Sequence, residues 1–147
     1  TLASAALEGA SPADARAKLY WRLDRPAALS ALGVPLLAHP DCRRFLARLM
    51  GESALPPSGL VLSAGFSVAD GTLADVKIDL CAHCLPRSPR AWLRLLEECR
   101  HDFDLAPIGV GSGLLDGRCE VAFVGFGLDG MATRRLNLYL KPAATVH

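Results

Sequence analysis

Strict alternation of apolar and polar residues recurs along the chain with a period of two, the mark of strands with one buried face. In residues 76–80, VKIDL, and 136–140, LNLYL, one face carries Val76, Ile78 and Leu80, then Leu136, Leu138 and Leu140. The other carries Lys77 and Asp79, then Asn137 and Tyr139. Residues 17–21, AKLYW, follow the same rule, with Lys18 and Tyr20 on the polar side. The later two runs each follow a second apolar run and an Asp-Gly pair, Asp70-Gly71 or Asp129-Gly130, whose glycine readily takes positive φ, so each unit reads as a β-hairpin. Residues 1–7 would be the first strand of the earliest hairpin, closed by a turn at Gly9, Ser11 and Pro12. The chain is therefore expected to begin inside a strand.

Between the hairpins the period lengthens. Residues 26–37 and 40–50 predict two helices, the second opened by Pro40-Asp41 and stopped by Gly51. Residues 88–100 predict a third, with Ser88 as N-cap, Pro89 in the first turn and a stripe of Trp92, Leu95, Leu96 and Cys99. A partner helix over 101–117 would be cut short by Pro107, Gly109, Gly111 and Gly113. Residues 64–80 lie over 124–140 at a constant offset of 60, with Gly65 on Gly125 and Phe66 on Phe126. The expected architecture is a single α+β domain over residues 1–147, ordered ββ-ααββ-ααββ, with tandem ααββ repeats and one antiparallel sheet. Trp21, Phe45, Phe66, Trp92, Phe126 and Leu138 are the candidate core.

With helices on the apolar face, the polar face is left to water, as an open sheet or as the lumen of a barrel. Its first-strand positions are mostly small, with Ser63, Gly65 and Ser67 in one hairpin and Phe123, Gly125 and Gly127 in the next. Glycine weakens a strand and marks a close approach of backbone or ligand. Lysine and tyrosine beside such gaps fit an elongated ligand with an anionic end.

Charge adds little, because 16 Lys and Arg nearly cancel 15 Asp and Glu. That balance gives no bulk electrostatic footprint for nucleic acid or an anionic membrane. The apolar stretches stop well short of the roughly 18 residues of a membrane helix. A soluble, cytoplasmic protein is expected, with its five cysteines reduced.

The repeat and the rungs Lys18-x-Tyr20, Lys77-x-Asp79 and Asn137-x-Tyr139 resemble the ABBA-type aromatic prenyltransferases, most closely the dimethylallyltryptophan synthase-like branch. The resemblance implies a ten-stranded barrel of five ααββ units with helices outside and the active site in the lumen. It implies transfer of an allyl group from an allylic diphosphate to an aromatic acceptor, such as an indole or phenol, as a small molecule or peptide, with no cofactor or metal. In that family the lysines of the rung bind the diphosphate and the tyrosines shield the allylic cation. Carried over here, Lys18 and Tyr20 make a full rung, Lys77 keeps the cation position, Tyr139 keeps the shield, and Asn137 stands where a lysine or amide donor is expected. Asp79 departs from the pattern. A carboxylate there repels a diphosphate unless it binds a cation or contacts an amine on the acceptor. The family's general base is an acidic residue on an early strand. Since three hairpins give six strands, the chain is expected to be the C-terminal portion of a larger barrel, closed by missing strands or a partner chain.

Other constellations are weaker. Cys81 and Cys84 form a C-x-x-C, with Cys99 and His101 farther on, but ligands at the end of an extended strand splay apart, and buried thiols are the expectation. Residues 109–113, GVGSG, lack the Lys-Ser/Thr that a phosphate loop requires. Arg134 and Arg135 could bind phosphate at the barrel mouth, but a solvated pair near a turn is the expectation, and His39 is expected as a helix connector. A non-catalytic binding or assembly module with the same repeat is the alternative to an enzyme.

Overall fold

In the computed structural model, residues 1–11, 13–23, 35–51, 59–106, 114–129 and 133–143 are described. Six strands form one antiparallel sheet in chain order: β1 (Leu2–Glu8), β2 (Arg16–Leu23), β3 (Leu60–Ser67), β4 (Leu73–Cys81), β5 (Cys119–Asp129) and β6 (Thr133–Pro142). Between them lie α1 (Pro35–Ala38), α2 (Pro40–Met50) and α3 (Pro89–Asp102). The protein is thus α+β, with a six-stranded antiparallel sheet. At the second hairpin Gly71 takes a φ of 71° and Asp70 accepts a hydrogen bond from the Thr72 N–H, so the Asp-Gly turn forms as its residue types require. Gly130, most of the expected helix 26–37 and the glycine-rich run 107–113 lie outside the described residues.

Local chemistry sets the helix ends. The Ser88 Oγ accepts the Ala91 N–H at 3.3 Å, with Pro89 in the first turn of α3. His39, expected only as a connector, caps α2 through its Nδ1, which accepts the Asp41 N–H at 3.3 Å. Gly51 ends α2 with a φ of 56°. The Arg48 Nε donates to Asp102 at 2.8 Å and ties the C-terminal ends of the two helices together.

The apolar stripes of α2 and α3 meet the apolar face of β3, β4 and β5. Cys42, Phe45, Leu49, Trp92, Leu95, Leu96 and Cys99 are buried with Leu62, Val76, Ile78, Leu80, Val124, Phe126 and Leu128. Phe126 is the centre, with the Phe45 ring 5.5 Å away and the Phe103 ring 5.2 Å away. Of the candidate core, Phe45, Trp92 and Phe126 are buried, while Trp21, Phe66 and Leu138 are half-buried at its margin. Leu140, near the end of β6, is exposed, because α2 and α3 contact the sheet through β5. No partner helix follows α3 in the described residues: the chain turns at Phe103 and Asp104.

Candidate functional site

The polar sides of β2, β3, β4 and β6 line one hollow of about 180 Å³, formed by Lys18, Tyr20, Ser63, Asp75, Lys77, Arg135, Asn137 and Tyr139. All five residues singled out from the sequence, Lys18, Tyr20, Lys77, Asn137 and Tyr139, are among them. A flat sheet would hold β2 and β6 roughly 19 Å apart at about 4.8 Å per strand, so a shared hollow requires a curled sheet with its polar side concave. The register shows the stagger that accompanies curling. Lys18 lies across from Gly65 and, beyond it, Asp75, whereas Tyr20, Ser63, Lys77, Gly127 and Arg135 form the next row. Asp79, Gly125 and Asn137 form the row after that. Each hairpin thus steps its lysine rung by one side-chain pair, as tilted strands in a curved sheet do.

Glycines provide the floor. A Cβ at Gly125 would sit 1.9 Å from the Asp79 Oδ1, and one at Gly65 would sit 2.8 Å from the Asp75 Oδ2. The carboxylates of β4 therefore fold down over bare backbone on the strands either side. This burial departs from a fully solvated polar face: Ser63, Asp75 and Asp79 are all buried. Concavity and the absence of side chains at Gly65 and Gly125 account for it.

The Lys77 Nζ is the hub. It donates to the Tyr139 hydroxyl at 2.6 Å, pairs with the Asp79 Oδ2 at 2.8 Å and sits 4.9 Å from the centre of the Tyr139 ring. Burial alone would lower the Lys77 pKa, but hydrogen bonds with Asp79 and Tyr139 together raise it, and the ammonium is held. Burial raises the Asp79 carboxyl above its usual range, against the pull of Lys77 and Arg135. Phe123 meets the Tyr139 ring edge-on at 6.2 Å and fixes its tilt. The other lysine is engaged separately, with the Lys18 Nζ 2.8 Å from Glu8 on β1.

Three buried polar atoms here, the Asp79 Oδ1, the Arg135 Nε and the Asn137 Nδ2, have no hydrogen-bond partner. Two are donors and one an acceptor, and a ligand with both kinds of group could use them. Asp75 was not singled out from the sequence and Arg135 only as one of a pair near a turn, although both share the polar face at two-residue spacing from Lys77 and Asn137. Their proximity depends on register, which alternation alone does not fix.

The remaining sequence candidates part company. Arg134 points to the helical side and pairs with the buried Asp41 at 2.5 Å, while Arg135 pairs with Asp129 at 2.9 Å, so the two arginines, both partly exposed, lie on opposite faces of the sheet. Cys81 ends β4, Cys84 lies in the single 3-10 turn Ala82–Cys84, and Cys99 is buried beneath α3. Among the described residues, no group of three or more His, Cys, Asp or Glu is placed to hold a metal ion. No helix among them is long and apolar enough to cross a membrane. A larger hollow of about 430 Å³ lies between α3 and β5, lined by Trp92, Arg87, Val121 and Phe123 among others, and none of its lining residues lines this one. No protein-family model matches the chain, and no curated protein sequence does.

Proposed function

We propose that this chain carries the diphosphate-binding part of an aromatic prenyltransferase. The observation that supports the reading best is the gathering of Lys18, Tyr20, Lys77, Asn137 and Tyr139, from three strands, around one hollow. The reading rests on the resemblance for the identity of the substrate and on this geometry for its place.

The chemistry follows from the residue types. Heterolysis of the allylic C–O bond sends its electron pair to the departing diphosphate. The Lys18 and Lys77 ammonium groups and the Arg135 guanidinium stabilise the charge that develops on the leaving oxygens. The allylic cation then lies against the faces of Tyr20 and Tyr139, where a ring quadrupole contributes about 0.5 to 2 kcal/mol per contact and water is excluded. An aromatic carbon of the acceptor donates a π pair to the cation, and its ring proton then leaves to a base. An indole or phenol is the acceptor class in this reading. The barrel of this proposal needs strands beyond β1 and β6, supplied by more of the same polypeptide or by a partner chain.

Binding of dimethylallyl thiolodiphosphate, which cannot ionise readily, tests the reading by thermal shift. At a ligand concentration of 100 times Kd the folded state gains about 2.7 kcal/mol. A shift in the parent that is lost in Lys77→Gln supports the reading, and no shift in the parent defeats it. The compensation of Lys77 by Asp79 favours a second reading, a diphosphate-binding module without turnover; allyl transfer to an indole or phenol, followed by mass spectrometry, separates the two.

A further inference from the structure

The polar face is unusual for an anion site, because most of its cations already have a carboxylate. Lys18 pairs with Glu8, Lys77 with Asp79, Arg135 with Asp129, and Arg16 lies 3.7 Å from Asp75. Two of these carboxylates can step aside. The side chains of Glu8 and Asp129 are about half exposed, and water can replace their cations at small cost. Asp75 and Asp79 differ, with side chains only 5% and 10% exposed, but Asp75 is 3.7 Å from its arginine whereas Asp79 holds Lys77 at 2.8 Å with its Oδ1 pressed over Gly125.

We propose that Asp79 is a resident counter-ion that holds the Lys77 ammonium until a diphosphate takes its place, so that anion binding is coupled to uptake of one proton by the Asp79 carboxylate. This rests on the diphosphate reading above and adds a coupling that the reading does not require. Of the cations that face Asp79, Lys77 is the one it pairs with. On its own strand the groups facing it are Lys77 and Cys81, with Asp75 farther along; across β3 stands Val61 with the exposed Arg22 of β2 beyond it, and across β5 stands Gly125. From β6 come Asn137 and Arg135, the latter held by Asp129. Burial pushes the Cys81 thiol up, so it stays neutral near pH 7. Once Lys77 turns to the phosphate, an ionised Asp79 would be a buried anion beside a second anion, which is strongly unfavourable. A proton from solvent removes that repulsion. The resulting carboxylic acid has an O–H with which to donate to a phosphate oxygen. The desolvation that already raises the Asp79 pKa works in the same direction.

Isothermal titration with dimethylallyl thiolodiphosphate, on the parent and on Asp79→Asn, tests the coupling. Measurements between about pH 6 and pH 8.5, in two buffers of different ionisation enthalpy, give both the affinity and the protons taken up per ligand. The ligand's own titration is common to both proteins and cancels in the comparison. Replacing a charge that competes for one charge-assisted hydrogen bond should tighten binding about tenfold at the high-pH end. That advantage should shrink as the pH falls, and the parent should take up more protons than the variant. Binding by Asp79→Asn with no detectable binding by the parent at high pH would also support the coupling. Equal proton uptake and parallel pH profiles in the two proteins would overturn it while leaving the diphosphate reading intact. Failure of both proteins to bind at any pH would overturn both. Asp79→Ser provides the same comparison if the asparagine variant does not fold.

Discussion

Replacing Gly125 by alanine puts one methyl group where the Asp79 Oδ1 now lies, at a separation of 1.9 Å. No carbon and oxygen can share that space, so Asp79 must rotate or β5 must move. β5 is pinned by its pairing with β4 and β6 and by Phe126 in the core, so the carboxylate gives way. Rotation breaks the 2.8 Å contact between Lys77 and Asp79, whose side chains are 13% and 10% exposed. Removing one member of a buried pair costs about 3 to 5 kcal/mol, and partial access of water reduces that by about half. A second contact, 3.2 Å from the Ile78 carbonyl oxygen, is with backbone and adds part of the 1 to 3 kcal/mol typical of overpacking, to give roughly 2 to 4 kcal/mol in all. Urea denaturation of Gly125→Ala, Asp79→Ala and the double variant gives the coupling between the two sites. A favourable coupling of about 1 to 3 kcal/mol is expected, since shortening Asp79 clears the space the methyl needs. Additive losses would refute the account of Gly125 as the floor under Asp79.

Other outcomes follow from the core, the helix ends and the thiols. Phe45→Ala removes a fully buried ring packed on Phe126 and should cost about 3 to 5 kcal/mol in chemical denaturation. Ser88→Ala should cost about 1 kcal/mol through loss of the α3 cap, with Ser88→Asp retaining it. The hydrogen bond from Arg48 holds the Asp102 carboxyl below its usual range, so its contribution is complete above the ordinary aspartate pKa and is lost as pH falls through the lowered folded value. Arg48→Met should flatten the acid limb of a stability profile accordingly. Burial pushes the Cys42 and Cys99 thiols up to about 12 and about 11, so alkylation of the native protein near pH 8 should modify Cys84 and Cys119 first. Labelling of Cys42 at the same rate would contradict its burial.

Much of this arrangement is legible in the chain, for identifiable reasons. Alternation at 76–80 and 136–140 assigns Lys77, Asn137 and Tyr139 to one face because the strand period is two, whatever the neighbours are. The stripes of α2 and α3 likewise define the face they bury, and Ser88 and Gly51 end their helices by local chemistry. Register is not local, and so the sequence does not place Arg135 beside Lys77 or lay Asp79 over Gly125. Those contacts come from strand stagger and from the missing side chains of glycine on an adjacent strand. Burial of Asp75 and Asp79 was equally hidden, because the polar face closes on itself only when the sheet curls. The pairing of Lys18 with Glu8 spans the first hairpin turn and depends on the register that sets Ala6 across from Lys18 and Glu8 across from Arg16, which no pattern in the residues fixes.

The central claim is that the concave face, through Lys77, binds an allylic diphosphate. Its most direct test is the Kd for dimethylallyl thiolodiphosphate in the parent, in Lys77→Gln and in Arg90→Gln, a control that removes the same charge from the exposed side of α3. The account predicts binding by the parent, a loss of tenfold or more in Lys77→Gln, as for one charge-assisted hydrogen bond, and a change within about twofold in Arg90→Gln. No binding by the parent, or equal weakening by the two substitutions, would contradict it.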